Sequence, residues 1–551
     1  MLFPKLLLNA LGGATVAFSA VVPLRGEAPV AGQLCIEANG RLEKKAPSRD
    51  PPFLTSKSQK FVVNGTGVPE VDFDLGESYA GRLPITVPDA INGSSDNELF
   101  FWFFPSKNPA ASNEITVWLN GGPGCSSLGG LLQENGPFLW QPGTYSPHRN
   151  PFSWTNLTNM VWIDQPVGTG LSSAEPGAGK LVKGEHDVAT QFAGFWKNFI
   201  DTFDMHGYDV YLTGESYAGM FVPYIANHFL EQMDDEYYKV KGIQINDPAI
   251  GSLPIMEHAA SVQYLNKYSS YFNLNDTFTE TINERAKDCG YTAFMEEALT
   301  FPPNGTLAFP DSVNVTDVLD DDCRLWLDIA TAALYVNPCF NPYHISESCP
   351  FPSNELGFPS LGWGPNNYFN RSDVQNALNV HGPRVDFRMC KADDFGLDSS
   401  EPATFGALPS VIERTGNVIV AVGELDFLIT SNGTLAVINN MTWQGTQGFE
   451  ESPFSENFYV PYNPTIYPAL NETLSQKHIP SIPVGIVGGG GWYGKTHTER
   501  GLTFVTVALS GHEIPQHAPG AAYRQLEFLL GRVDNLTSIG EFTTAGNCDW
   551  S

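Results

Sequence analysis

Positive charge is scarce in this sequence: 30 Lys and Arg stand against 60 Asp and Glu over 551 residues, a formal net charge of −30. Such a surface repels phosphate backbones and anionic lipids, which excludes a nucleic-acid binder and a basic membrane-surface protein. Charge of either sign is sparse, at 16% against 42% hydrophobic and 12% aromatic residues. That balance excludes a disordered chain and supplies a large core. The 53 Gly and 41 Pro stay below the roughly 25–30% typical of low-complexity sequence. Beyond residue 22 no segment has the roughly 17–25 apolar residues that span a bilayer, and the C-terminus lacks the apolar tail of a lipid-anchor signal. No solenoid repeat is present. The cysteines form no C-x-x-C pair, and the acidic runs at 234–236 and 320–322 lack calcium-loop spacing. Neither metal nor cofactor is expected.

The N-terminus carries Lys5, then the apolar run Leu6 to Val22 with small residues at Ala17, Ser19 and Ala20. This reads as a secretion signal over residues 1–20 and places the chain outside the cell. Residues 21–65 are rich in Pro, Gly, Lys and Ser without a sustained period, an arm or pro-segment. Eight cysteines follow: Cys35, Cys125, Cys289, Cys323, Cys339, Cys349, Cys390 and Cys548. An even count behind a signal favours disulfides, and eight cysteines allow 105 pairings. Sequons at Asn64, Asn92, Asn156, Asn275, Asn304, Asn314, Asn370, Asn432, Asn440, Asn471 and Asn535 indicate a glycoprotein.

From about residue 70, short apolar runs alternate with helical patterns. Strands are expected at Leu99–Phe104, Ile115–Leu119, Met160–Ile163, Val210–Leu212, Ile243–Ile245, Val418–Val422, Val484–Val487 and Thr503–Leu509. Helices are expected at Asp187–Phe203 and Met220–Met233. This alternation predicts a mainly parallel sheet in an α/β domain. Residues 252–365 break the rhythm, with helix and loop patterns and four cysteines. They divide the core into a first part, 66–251, and a second, 366–551.

The hexapeptide Gly-Glu-Ser-Tyr-Ala-Gly occurs at 76–81 and again at 214–219. The second copy lies between a strand-like run, Asp209–Thr213, and a helical run, Met220–Leu230. Strand, small-residue turn with Ser at its apex, then helix is a nucleophile elbow. The first copy precedes a proline-interrupted extended stretch, so Ser216 is the nucleophile candidate and Ser78 is not. The base must follow later in the chain, after an acid. Of 11 histidines, only His512 follows a strong strand through a Ser-Gly turn; the others, His517 included, read as surface or capping residues. Asp426, after the strand Val418–Val422, is the expected acid, with Glu424 as the alternative.

Several long motifs in order now resemble the serine carboxypeptidase family, in its secreted fungal branch. They are Trp118–Ser127 (WLNGGPGCSS), Asn150–Trp154 (NPFSW), Asp164–Gly168 (DQPVG), Gly214–Gly219 (GESYAG) and Gly511-His512. The resemblance covers about Phe73 to Gly531. It implies an α/β-hydrolase fold, a mixed, mostly parallel sheet with an inserted helical cap. It also implies a triad of Ser216, Asp426 and His512, and an oxyanion hole from the N–H groups of Gly122 and Tyr217. Asn120, Glu134 and Glu215, with Trp118 nearby, would hold the substrate's terminal carboxylate. Cys125 would pair with Cys390, and the insertion would carry nested pairs, Cys289–Cys349 and Cys323–Cys339. The implied partners are peptides and proteins with a free C-terminus, acted on by a monomer or homodimer. Glu513 stands where many relatives have an apolar residue.

Carboxylates clustered to bind a carboxylate must share a proton, because like charges raise one another's pKa. Acid-favoured activity, peaking near about pH 4–6, is therefore expected. An acyltransferase on the same scaffold, and a non-enzymatic glycoprotein, are the rival readings. Gly489–Thr496 fits the phosphate-loop pattern, but no helix pattern follows the Lys-Thr, so it reads as a glycine-rich turn between two late strands.

Overall fold

A computed structural model describes residues 52–86, 97–173, 182–314, 317–350, 352, 354–356, 367–382, 384–391, 398–462 and 489–544. All of them belong to one compact unit, Ser48–Ala545. The secretion signal, the arm up to residue 51, Cys35, Cys548, Asn92, Asn471 and the strand expected at 484–487 lie outside the described residues.

Among the described residues, one sheet has ten strands: β1 (Tyr79–Pro84), β2 (Glu98–Phe104), β3 (Glu114–Leu119), β4 (Asn159–Asp164), β5 (Asp209–Glu215), β6 (Val240–Asn246), β7 (Val418–Gly423), β8 (Glu456–Val460), β9 (Gly491–Glu499) and β10 (Leu502–Val507). Their order is β1-β2-β4-β3-β5-β6-β7-β10-β9-β8. The six central strands, β4 through β10 in that order, pair in parallel. The strand pairs at either margin are antiparallel. This is the α/β-hydrolase arrangement, and its centre is buried on both faces, which is why those strands lack polar alternation.

β2 shows how the two faces divide the core. Phe101 and Phe103 pack on Phe199 and Phe203 of helix α1 (Glu185–Phe203). Phe100, Trp102 and Phe104 join the opposite cluster with Phe138 and Trp162. Each buried aromatic stabilises the fold by about 2–3 kcal/mol through area alone. The run 101–104 is thus core. Residues 52–65 join that core too: Phe53 packs edge-on against Phe103 and Phe61 against Phe101, each at 5.2 Å.

Helix α2 (Ala218–Gln232) follows β5 directly. The insertion carries α3 (Ala260–Lys267), α4 (Asp276–Asp288), α5 (Tyr291–Ala298) and α6 (Leu325–Val336). Its disulfides are sequential, Cys289–Cys323 and Cys339–Cys349, which corrects the nested pairs Cys289–Cys349 and Cys323–Cys339. The cause is local: Cys289 caps α4, and Arg285 and Tyr291 donate to the carbonyls of Asp322 and Cys323, which hold the two thiols together. Cys125 bonds Cys390.

The glycine-rich segment is also corrected. Residues 491–499 are not a turn but β9, paired on both sides, and the turn itself is Arg500-Gly501, both at positive φ. Lys495 reaches Asn457 Oδ1 at 2.8 Å, and β10 begins at Leu502, so no helix N-terminus is available for phosphate. Sequons Asn64, Asn275, Asn304, Asn314 and Asn535 are exposed. Asn156, Asn370, Asn432 and Asn440 are half-buried, and the Asn440 amide donates inward to Leu307 O.

Candidate active site

β5 ends at Glu215, and Ser216 then turns the chain at φ 61° into α2. A non-glycine residue rarely adopts this conformation, and the neighbours must stabilise it. Ser216 N–H donates to Asn246 O at 2.9 Å, and Ser216 O accepts from Gly219 and Ala249. Gly121 leaves the space the elbow occupies: a Cβ there would sit 2.3 Å from Tyr217 N.

His512 follows β10. Its N–H donates to Tyr343 O at 2.8 Å, and Tyr343 packs edge-on against the ring at 4.9 Å. Its Nδ1 meets Asp426 Oδ2 at 2.8 Å, with both side chains buried. Asp426 Oδ1 accepts from the N–H groups of Leu428 and Ile429, which fixes the carboxylate. Burial pulls the imidazole pKa down, but Asp426, Glu513 and Glu134 together carry it above its ordinary value. Among the described residues, Nε2 has no hydrogen-bond partner. Glu424, the alternative acid, instead accepts from Thr506.

A cleft of about 480 Å³ is lined by Ser216, His512, Gly122, Asn120, Glu134 and Glu215, and also by Glu513. Asn120 Nδ2 donates to Glu215 Oε1 at 2.7 Å and to Glu134 Oε1 at 3.4 Å. Burial, partly offset by hydrogen bonds to Glu215 and Asn120, pushes Glu134 up to about 7. Burial, reinforced by the charge of Glu134, holds Glu215 well above the carboxylate range. Glu513 is pushed up to about 7, mainly by burial. Of the three, Glu134 and Glu215 are hydrogen-bonded to each other, the arrangement in which two carboxyls share a proton. Among the described residues, the N–H groups of Gly122 and Tyr217 have no protein acceptor. A wider, open depression of about 880 Å³ beside Cys289 and Cys323 is lined by Asp288, Glu297, Asp311, Asp320 and Asp321, with no histidine among its lining residues.

Trp118 is fully buried beside the cluster, and its indole N–H goes to Asn120 Oδ1 at 2.9 Å, so it orients Asn120. The surface reading holds for the exposed His186 and His381 but is corrected beside the His512 turn. The rings of His344 and His517 lie 4.4 Å apart, tilted by 57°, beside the His512 turn, because the small Gly511 lets His344 approach to within 2.7 Å of where a Cβ would be. His258 is half-buried, and burial pushes its pKa down to about 4. Sequence reasoning missed Asp247, whose carboxyl lies behind Asp426. Its one signal is position: like Ser216 and Asp426, it stands just past the C-terminal end of a central strand.

The fold and the elbow define an α/β-hydrolase with a serine at its apex. Residues 69–531 match the family described as serine carboxypeptidase. The chain belongs to the serine carboxypeptidase family. It is 50% identical over 494 residues to a carboxypeptidase Y homolog of Arthroderma benhamiae, covering 89% of this chain and 90% of that one. It is 40% identical over 511 residues to the serine-type carboxypeptidase F of Aspergillus niger, covering 89% and 90%. In fold it is similar to a prohormone-processing carboxypeptidase from Saccharomyces cerevisiae, with TM-score 0.64, 22% identity, and 87% and 98% of the two chains covered. Among the described residues, no helix is long and apolar enough to cross a membrane.

Proposed function

We propose that this serine carboxypeptidase is secreted and works in acid, with Ser216, His512 and Asp426 as its triad. Ser216 attacks the last peptide carbonyl while His512 takes its proton. The N–H groups of Gly122 and Tyr217 receive the developing oxyanion. His512 then returns the proton to the departing amino acid, and water cleaves the acyl-enzyme by the same route.

The observation that carries this reading is the cluster of Asn120, Glu134 and Glu215 in the cleft that Ser216 and His512 also line. A protonated glutamic acid donates to a substrate carboxylate, whereas an ionised one repels it. Binding therefore weakens as pH rises through about 7, the value to which Glu134 is pushed. Turnover falls at the acid end as His512 takes up a proton. Filling Glu134 and Glu513 with protons removes two of the charges that raise His512, so the base stays usable at lower pH.

Mass spectrometry of a peptide ladder tests the proposal. Wild type removes residues singly from a free C-terminus at about pH 5 and spares the C-terminal amide, and Ser216→Ala removes none. Internal cuts, equal trimming of the amide, or activity in Ser216→Ala would refute it.

A further inference from the structure

Asp247 is a buried carboxyl that the proposed steps leave unused. It directly follows β6, which lies between the strand that leads to Ser216 and the strand that leads to Asp426. Its φ is 44°, a left-handed conformation that Asp and Asn tolerate better than most L residues. Its N–H donates to Ala421 O at 2.7 Å, and its Oδ1 accepts from Gly423 N–H at 2.7 Å. The turn carrying Asp426 is thus tied to Asp247 by backbone and side chain. Asp247 Oδ2 is buried and has no donor among the described residues. One ligand-type atom from each of Asp247, Asp426 and His512 lies within 4.8 Å of the others. Asp426 Oδ2 and His512 Nδ1 are already hydrogen-bonded to each other, so the trio is not an open metal site.

Two adjacent carboxylates buried together cannot both stay ionised, and one proton turns their repulsion into a hydrogen bond. We infer that Asp247 is a positioning residue for the triad: its carboxyl, carrying a proton, hydrogen-bonds Asp426 and holds it in line with His512. This rests on the triad reading above. The electrostatics agree, since burial first and then the charge of Asp426 hold Asp247 well above the usual carboxylate range.

The surroundings offer no substitute for the proton. Around the Asp247–Asp426 pair stand Glu513 and His512 after β10, Glu257 in the turn Ile255–Ala259, Tyr264 of α3, and Tyr343 and His344 of the segment before Cys349. Glu424 and Glu215 lie further out, facing Tyr264 and Tyr343. Apart from His512, already paired with Asp426, these groups are acids, phenols, and a histidine whose pKa burial lowers. A neutral Asp247 leaves one negative charge behind His512; an ionised Asp247 would add a second and make the imidazole more basic.

The full chain carrying Asp247→Ala or Asp247→Asn, compared with wild type on a blocked dipeptide, reads this out. Asp247→Ala lowers kcat by about 10–100-fold with KM within about twofold, because Asp426 loses its brace while the carboxylate-binding cluster is untouched. Asp247→Asn keeps the left-handed turn and supplies an amide donor, and it recovers kcat to within about threefold of wild type. Its acid limb in kcat/KM stays within about 0.2 pH unit of wild type, since one neutral donor replaces another. An acid limb displaced downward by more than about half a unit in Asp247→Asn would show that an anion had been removed, and would overturn the proposal. Wild-type kcat in Asp247→Ala would also overturn it. Ser216→Ala, run alongside, separates the two readings: turnover there sinks the triad itself, whereas its loss means that the other two variants alone decide the role of Asp247.

Discussion

One hexapeptide is written twice in this chain and folds in two ways. At 76–81 it enters the sheet margin: Gly76 turns at φ 76°, Ser78 is buried beneath the indole N–H of Trp102, and Tyr79 begins β1. At 214–219 it leaves the sheet centre: Ser216 takes φ 61° and α2 begins within two residues. Even the tyrosines match in chemistry, since Tyr79 O–H donates to Glu77 while Tyr217 O–H donates to Asp398 and Glu185. The six residues permit both forms. The neighbours choose, by supplying an antiparallel partner for the first copy and parallel strands on either side of the second. A catalytic motif is therefore a property of its flanks as much as of its letters.

Parallel substitutions at matched positions test that contrast. The largest difference is expected at the serines. Ser216→Ala abolishes turnover, by roughly 10⁴–10⁶-fold, with the melting temperature little changed. Ser78→Ala keeps turnover within about twofold and costs about 1–2 kcal/mol of stability, because the Trp102 N–H is left buried without an acceptor. Blocked-dipeptide hydrolysis and thermal melts of both variants decide it, and a comparable loss of turnover in both would erase the distinction.

The glutamates come next. Glu134 and Glu215 are raised in the folded state. The native chain then binds more protons than the unfolded chain above about pH 4.3, so the stability they contribute is complete below that value and falls as pH rises through about 7. Glu215→Gln removes one member of the pair. It flattens both the fall in melting temperature and the rise in KM between about pH 5 and 8. Glu77, also raised by burial but only half-buried, has no such partner. Glu77→Gln leaves the KM profile unchanged. Identical profiles in the two variants would remove Glu215 from substrate binding.

The smallest effect is expected at the tyrosines. Tyr217→Phe frees Glu185 and Asp398 from a shared donor and lowers kcat/KM by about two- to fivefold, because the N–H it carries stands at the proposed oxyanion site. Tyr79→Phe changes stability by about 1 kcal/mol and leaves kcat/KM alone. Steady-state kinetics and melts of the pair measure both.

The architecture was legible because the central strands are buried on both faces and so read as unbroken apolar runs, as Val418–Val422 and Ile115–Leu119 do. Ser216, Asp426 and His512 were legible because each stands just past such a run. What escaped the sequence is what depends on side chains meeting from distant segments. Asn246-Asp247-Pro248 reads as an ordinary turn until Asp426 is seen beside it. The cap cysteines pair through the approach of α4 to the turn before α6, which spacing does not encode. Gly489–Thr496 carries enough glycine to read as a turn, yet its Thr and aromatic residues fit a strand between two partners.

The Cys125–Cys390 bond spans 265 positions, and the whole cap lies within that span. A cut anywhere inside it leaves two polypeptides that remain one molecule, with Gly124 and Ser126 on either side of Cys125 still clasped to Lys391 and Met389. The working unit is thus the clasped pair rather than the unbroken strand: a nicked enzyme runs as two bands after reduction and as one before it.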